Sequence, residues 1–107
     1  MAANIEDYGE ALKELAAGEL EGLDVVLKMH EGNFEASGLD AKTWQLVRIA
    51  ALATLDAAPL SWRSHLTLAE ELGLSAEDII GTLIAIAPVV GTARIVSAAN
   101  TISKTML

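Results

Sequence analysis

Cysteine is missing from the 107-residue chain altogether. Disulfides, thiolate metal ligands and cysteine nucleophiles are therefore excluded. The imidazole side chains are limited to His30 and His65, so we expect no zinc site. Only two prolines are present, and aromatic residues make up 4% of the chain, so the core has to be built mainly from aliphatic side chains.

Long apolar runs and basic clusters are also absent. The longest charge-free run covers residues 79–93, whereas a membrane span needs about 20 apolar residues. The first residues lack the basic and apolar regions of a secretory signal. The net charge is −8, all of it contributed by residues 1–40, which argues against binding nucleic acid. We therefore expect a cytoplasmic protein that binds neither a membrane nor nucleic acid.

What the chain has in excess is aliphatic surface. Hydrophobic residues make up 52% of the sequence, and the mean hydropathy is +0.41. A domain of this size cannot bury so much apolar area alone. We therefore expect an obligate homo-oligomer.

The apolar residues recur at helical spacing, and no stretch alternates as a strand does. This predicts an all-α single domain of about six helices in an orthogonal bundle, with acidic N-terminal helices in 1–37 and a core in 38–107. Asp40 is expected to cap the third helix, and Ser75 with Asp78 the fifth. The third and fifth helices are apolar nearly all round, which predicts burial on most sides. The predicted helices span about 5–17, 23–36, 41–56, 59 to Gly73, 76 to a stop or kink at Pro88, and 92–105.

The segment from Ala58 to His65 holds the main candidate site. Ser61 and His65 are four residues apart, which places them on one helix face. A positioned histidine is the usual general acid or base near neutral pH. A serine nucleophile would also need a third group to orient the histidine, and the spacing of Asp56 and Glu70 does not supply one. The alternative is a half-buried histidine that is hydrogen-bonded to a backbone or hydroxyl oxygen.

Arg48 is the interior charge of the apolar third helix and must have a partner. It is interpreted either as a clamp for a substrate carboxylate or as half of a structural ion pair. Arg63 and Arg94 are alternative clamps or surface and interface residues. Trp62 is a candidate for lining a pocket, and its alternative role is core packing.

Three stretches of the second half resemble one known family. They are "LDAKTWQLVRIAALA" (39–53), "APLSWRSHLTLAEELGLSAEDII" (58–80) and "VVGTARIVSAAN" (89–100). Over residues 38–103 the chain is similar to the carboxymuconolactone decarboxylase family of the alkylhydroperoxidase D-like superfamily. The resemblance implies a helical subunit assembled into homotrimers or homohexamers. It also implies one of two chemistries, decarboxylation of a small lactone acid or peroxide reduction by a cysteine pair.

The family's reactive positions are largely replaced in this sequence. With His65 taken as the family histidine, the cysteine positions fall on Ala58 and Ser61, and the glutamate position falls on Gln45. Thiol peroxidase activity is therefore not expected. The resemblance instead favours a lyase or isomerase without cofactor or metal, in which His65 carries a proton, Arg48 holds a substrate carboxylate and Ser61 donates a hydrogen bond.

Two other functions remain open. One is a non-catalytic homo-oligomer that binds a small organic acid or only assembles. The other is a serine hydrolase that uses Ser61 and His65, although the sequence shows no nucleophile elbow. His30 is expected at a buried boundary position, and joins His65 only if the pocket lies between subunits.

Overall fold

In a computed structural model, which describes residues 5–17 and 31–106, helices are joined by short turns. No strand occurs in these two ranges, so the all-α prediction is confirmed for them. The helices in chain order are α1 (Ile5–Ala17), α2 (Glu31–Ser37), α3 (Ala41–Leu55), α4 (Pro59–Glu71), α5 (Ala76–Val90) and α6 (Thr92–Met106).

The chain divides after Ser37 into two compact units. The first unit contains α1 and α2, and the second contains α3 to α6. On α1, the apolar residues Tyr8 and Leu12 follow the predicted helical spacing, yet both side chains are exposed. The predicted second helix is described only at its end, as α2, because residues 23–30, including His30, lie outside the described ranges.

Local chemistry determines where the helices of the second unit begin. The Asp40 carboxylate accepts a hydrogen bond from the Thr43 backbone N–H at 2.8 Å and caps α3. Ser75 and Asp78 form the predicted capping box at the start of α5. Pro59 lies in the first turn of α4, where its missing N–H would have had no partner inside the helix. These predicted starts are confirmed.

Two predicted ends differ from the structure. α3 stops at Leu55, because Asp56 adopts a left-handed conformation with φ of 52°. α5 continues through Pro88 to Val90, so the predicted stop at Pro88 is wrong. Proline removes a single N–H from the last turn, and the remaining helix absorbs that loss. The break comes at Gly91, whose φ of 100° suits glycine.

The core of the second unit lies among its four helices. α3 contributes Ile49 and Ala53, and α4 contributes Trp62 and Leu66 together with Ala69. Leu83 of α5 and Ala98 of α6 complete the buried cluster. The buried face of α4 therefore carries Trp62 and Leu66, and the residue between these two faces, His65, lies half-buried at the edge of the core.

A large share of the apolar surface stays outside this core. On α5, Ile84 is 65% exposed and Val89 is 89% exposed, while on α3 Leu55 is 73% exposed. The prediction that α3 and α5 are buried on most sides is therefore wrong for the single chain. Each helix of a small bundle has neighbours on one side only, so a helix that is apolar all round keeps an uncovered face.

Candidate functional site

The histidine of α4 is fixed first by its own helix. The His65 Nδ1 atom lies 2.7 Å from the backbone oxygen of Ser61, one turn earlier. A carbonyl oxygen only accepts hydrogen bonds, so Nδ1 carries the proton and donates it. The partner at Nδ1 is therefore the Ser61 backbone, not the Ser61 hydroxyl. This is the backbone contact that the structural alternative for His65 describes.

The other ring nitrogen faces α3. His65 Nε2 lies 2.9 Å from Nη2 of Arg48. A guanidinium group only donates hydrogen bonds, so Nε2 must be unprotonated and accept. The two partners together assign the neutral tautomer with its proton on Nδ1. A proton added to Nε2 would place a second donor and a second positive charge against Arg48.

The guanidinium of Arg48 is held by an aromatic face as well. Its central carbon lies 4.0 Å from the centre of the Trp44 ring, which is a cation–π contact. Burial lowers the pKa of Arg48 below its usual value, because the charged group has lost part of its hydration. The site thus presents a half-buried cation that stands on a ring and touches an imidazole.

Gln45 ties the two helices together from below. It is 0% exposed, and its Nε2 donates to the backbone oxygen of His65 at 2.7 Å. Its Oε1 is buried and has no hydrogen-bond partner in the part of the chain that the structure describes. The sequence identified Gln45 only as a replaced glutamate, and missed its role in positioning His65. The one available signal was an amide on the apolar face of α3.

The remaining candidates lie apart from this contact. Trp62 is 1% exposed and belongs to the core, so it lines no open pocket. The side chains of Arg63 on α4 and Arg94 on α6 are exposed. The Asp56 carboxylate accepts a hydrogen bond from the Ser97 hydroxyl at 2.7 Å. The ring nitrogens of the site histidine contact a backbone oxygen and a guanidinium, so no catalytic triad is assembled.

A separate groove of about 540 Å³ opens between α4, α5 and α6. Its walls are apolar side chains such as Leu66, Leu83 and Ile102, with polar groups from Glu70 and Ser103. The site histidine and arginine do not line it. Across residues 5–17 and 31–106, no three side chains converge as metal ligands, and no helix has both the length and the apolar character that a membrane span requires.

These features define a class, an all-helical protein with an arginine–histidine pair between two packed helices. A family model described as the carboxymuconolactone decarboxylase family matches residues 6–103, and the chain belongs to this family. The match begins in α1, so it extends well beyond the 38–103 that the sequence resemblance covers. Comparisons with curated proteins and with solved structures found no match. The chain is a member of the family without cysteine.

Proposed function

We propose that the protein is a cofactor-free lyase or isomerase that acts on a small carboxylated substrate through Arg48 and His65. The observation that carries this proposal is the 2.9 Å contact between the two side chains. It joins a group that recognises carboxylates to a group that transfers protons. Family membership supports the substrate class, because the family's name describes the decarboxylation of a carboxylated lactone.

Each residue has a separate role in the proposed reaction. The planar guanidinium of Arg48 binds the substrate carboxylate with two parallel N–H groups. His65 handles the proton at Nε2, the nitrogen that faces Arg48. The Ser61 hydroxyl donates a hydrogen bond to the developing enolate oxygen. Gln45 positions His65 without touching substrate.

The neutral tautomer decides the order of proton steps. In an isomerisation, Nε2 takes a proton from one carbon and returns it to another, so nothing else is required. In a decarboxylation, the bond to the carboxylate carbon breaks, CO₂ leaves, and the electron pair remains as an enolate. Nε2 must then already hold a proton, taken up from water, to give to that enolate. The isomerisation uses the tautomer as it stands, whereas the decarboxylation needs one prior protonation.

Thiol peroxidase activity is not part of the proposal. Peroxide reduction in this family's other branch needs a thiolate to attack the O–O bond, and the chain has no cysteine. The hydroxyl of Ser61 stands at one of the two cysteine positions and has no comparable redox cycle.

The test uses two conservative substitutions of one residue. His65→Asn keeps a donor for the Ser61 backbone oxygen but removes the Nε2 position, whereas His65→Gln keeps an acceptor near Arg48. Neither side chain transfers a proton as imidazole does, so both variants should lose turnover of small lactone acids. Both should keep a cooperative melt, and His65→Gln should keep carboxylate binding in calorimetry. Turnover that survives in both variants would reject His65 as the proton carrier.

A specific observation favours a second candidate, a non-catalytic homo-oligomer that binds a small organic acid. Both ring nitrogens of His65 are engaged, as they are in a structural histidine. Such a protein would be stabilised against heat by its ligand without consuming it. A thermal-shift screen of organic acids and lactones, followed by product analysis of each hit, separates the two functions.

We also propose assembly into a homotrimer or homohexamer. The support is the exposed apolar surface of α3 and α5, which includes Leu55, Ile84 and Val89. Light scattering at micromolar concentration should report a mass of three or six subunits. A single-subunit mass that persists on concentration would reject assembly.

A further inference from the structure

The contact that carries the proposed function also obstructs it. A base needs a lone pair directed at the substrate, but the lone pair of His65 Nε2 accepts the hydrogen bond from Arg48. The other ring nitrogen cannot substitute, because its proton is donated to the Ser61 backbone oxygen at 2.7 Å. In this arrangement the imidazole neither accepts nor releases a proton toward a ligand. If His65 is the proton carrier, the guanidinium has to leave Nε2 first.

Arg48 is mounted in a way that allows this movement. The stacking contact with Trp44 depends on the distance between the two planes, 4.0 Å from the guanidinium carbon to the ring centre. A guanidinium that turns within its own plane keeps that contact while its N–H groups change direction. The hydrogen bond to His65 can therefore be exchanged without loss of the stack.

A carboxylate is the ligand group best suited to draw the guanidinium away. Hydrogen bonds between two charged partners are about twice as strong as those between neutral groups, and a carboxylate engages two N–H groups at once. The imidazole offers one neutral acceptor. Partial burial of Arg48 strengthens its attraction to an anion, because less water competes for it. A neutral amide of the same shape lacks this advantage.

We infer that Arg48 is a specificity-determining cap, which covers His65 Nε2 until a ligand carboxylate takes its place and only then exposes the base. This inference rests on the proposed function and adds a mechanism of selection to it. Carboxylated ligands bind and expose the base. Uncharged analogues that fit the same space leave the base covered and are not turned over.

The experiment follows His65 Nε2 directly. Ring-¹⁵N-labelled protein carrying His30→Gln has His65 as its one imidazole, and its Nε2 resonance is measured at about pH 8, well above the ordinary histidine pKa. Benzoate and its neutral isostere benzamide serve as probes, and calorimetry measures their binding. Arg48→Met in the same background gives the resonance of an uncapped ring. Lys104→Met, an exposed change of equal charge on α6, is the matched control.

Saturating benzoate should shift the Nε2 resonance to the Arg48→Met position, with the half-point at the calorimetric Kd. Benzamide should leave the resonance in place, and Lys104→Met should respond like the parent protein. If benzoate binds and Arg48→Met abolishes that binding, but Nε2 does not shift, the cap is refuted while carboxylate recognition survives. Absence of benzoate binding overturns both the cap and the proposed carboxylate site. An Nε2 resonance that is unchanged by Arg48→Met overturns the cap alone.

Discussion

Replacement of Arg48 by methionine should destabilise the protein by a predictable amount. Methionine retains an apolar stem against Trp44 but removes the hydrogen bond to His65 and the cation–π contact. A half-buried hydrogen bond from a charged donor contributes about 1 kcal/mol, at the low end of its range. The cation–π contact contributes about 0.5–1 kcal/mol where the cation keeps some water. The expected loss in free energy of unfolding is therefore about 2 kcal/mol.

Thermal unfolding followed by circular dichroism can measure this loss. For a chain of this length, about 2 kcal/mol corresponds to a decrease in Tm of about 8 °C. Protein concentration has to be equal for all variants, because assembly would make Tm depend on it.

A double-mutant cycle isolates the Arg48–His65 contact from other losses. His65→Asn keeps the donor to the Ser61 backbone but cannot reach Arg48, so the cycle of Arg48→Met and His65→Asn reports the contact itself. The expected coupling is about 1 kcal/mol. An Arg48→Met protein that melts within about 2 °C of the parent, a shift worth about 0.5 kcal/mol, together with zero coupling would show that the contact is not formed in solution.

Three further predictions concern packing, backbone and pH. Leu66→Ala should cost about 2–5 kcal/mol of unfolding free energy in a urea titration, whereas Leu55→Ala, at a position 73% exposed, should change it by under about 0.5 kcal/mol in dilute monomer. Gly91→Ala should cost about 1–3 kcal/mol because of its φ of 100°, and Gly81→Ala, with open space and ordinary φ, should not destabilise. Hydrogen bonds from the capping serine lower the pKa of Asp78, so its stabilisation is complete above about pH 4 and is lost as pH falls through the lowered pKa; the Tm difference from Asp78→Asn should shrink accordingly.

The starts of the helices could be predicted because their causes are local. Asp40 reaches a backbone N–H three residues away, and Ser75 and Asp78 complete a similar reciprocal pair. Such contacts form within one turn of chain, so the sequence contains both partners. The predicted stop at Pro88 was wrong for the complementary reason. Whether a helix tolerates proline in its last turn depends on the structure around that turn.

The partner of Arg48 could not be read from the sequence. Its contact with His65 joins residues 17 apart on different helices, and the register between α3 and α4 decides it. Charge reasoning directs attention to acids such as Glu70, which instead borders the apolar groove. A neutral imidazole satisfies a guanidinium equally in hydrogen-bond terms, but no pairing rule based on charge suggests it.

Burial was predictable for amphipathic helices only. Periodicity identifies the apolar positions of α3 and α5, but a helix that is apolar all round gives no indication of which face has a neighbour. Ile49 is fully buried whereas Leu55, on the same helix, is 73% exposed. The covering of such a face depends on the number of available helices and, under the proposed assembly, on other subunits.

The neutral amide at position 45 and the Arg48–His65 contact depend on each other. The resemblance places the family's glutamate at Gln45, three residues before Arg48 and therefore on a neighbouring helical position. A carboxylate there could not donate to the His65 backbone oxygen, and it would compete for the guanidinium with a full negative charge. Gln45 instead donates to that oxygen and leaves the guanidinium to the imidazole. Loss of the acid thus does more than remove a proton shuttle, because it is a condition for an arginine that answers to a ligand's carboxylate and not to the protein's own.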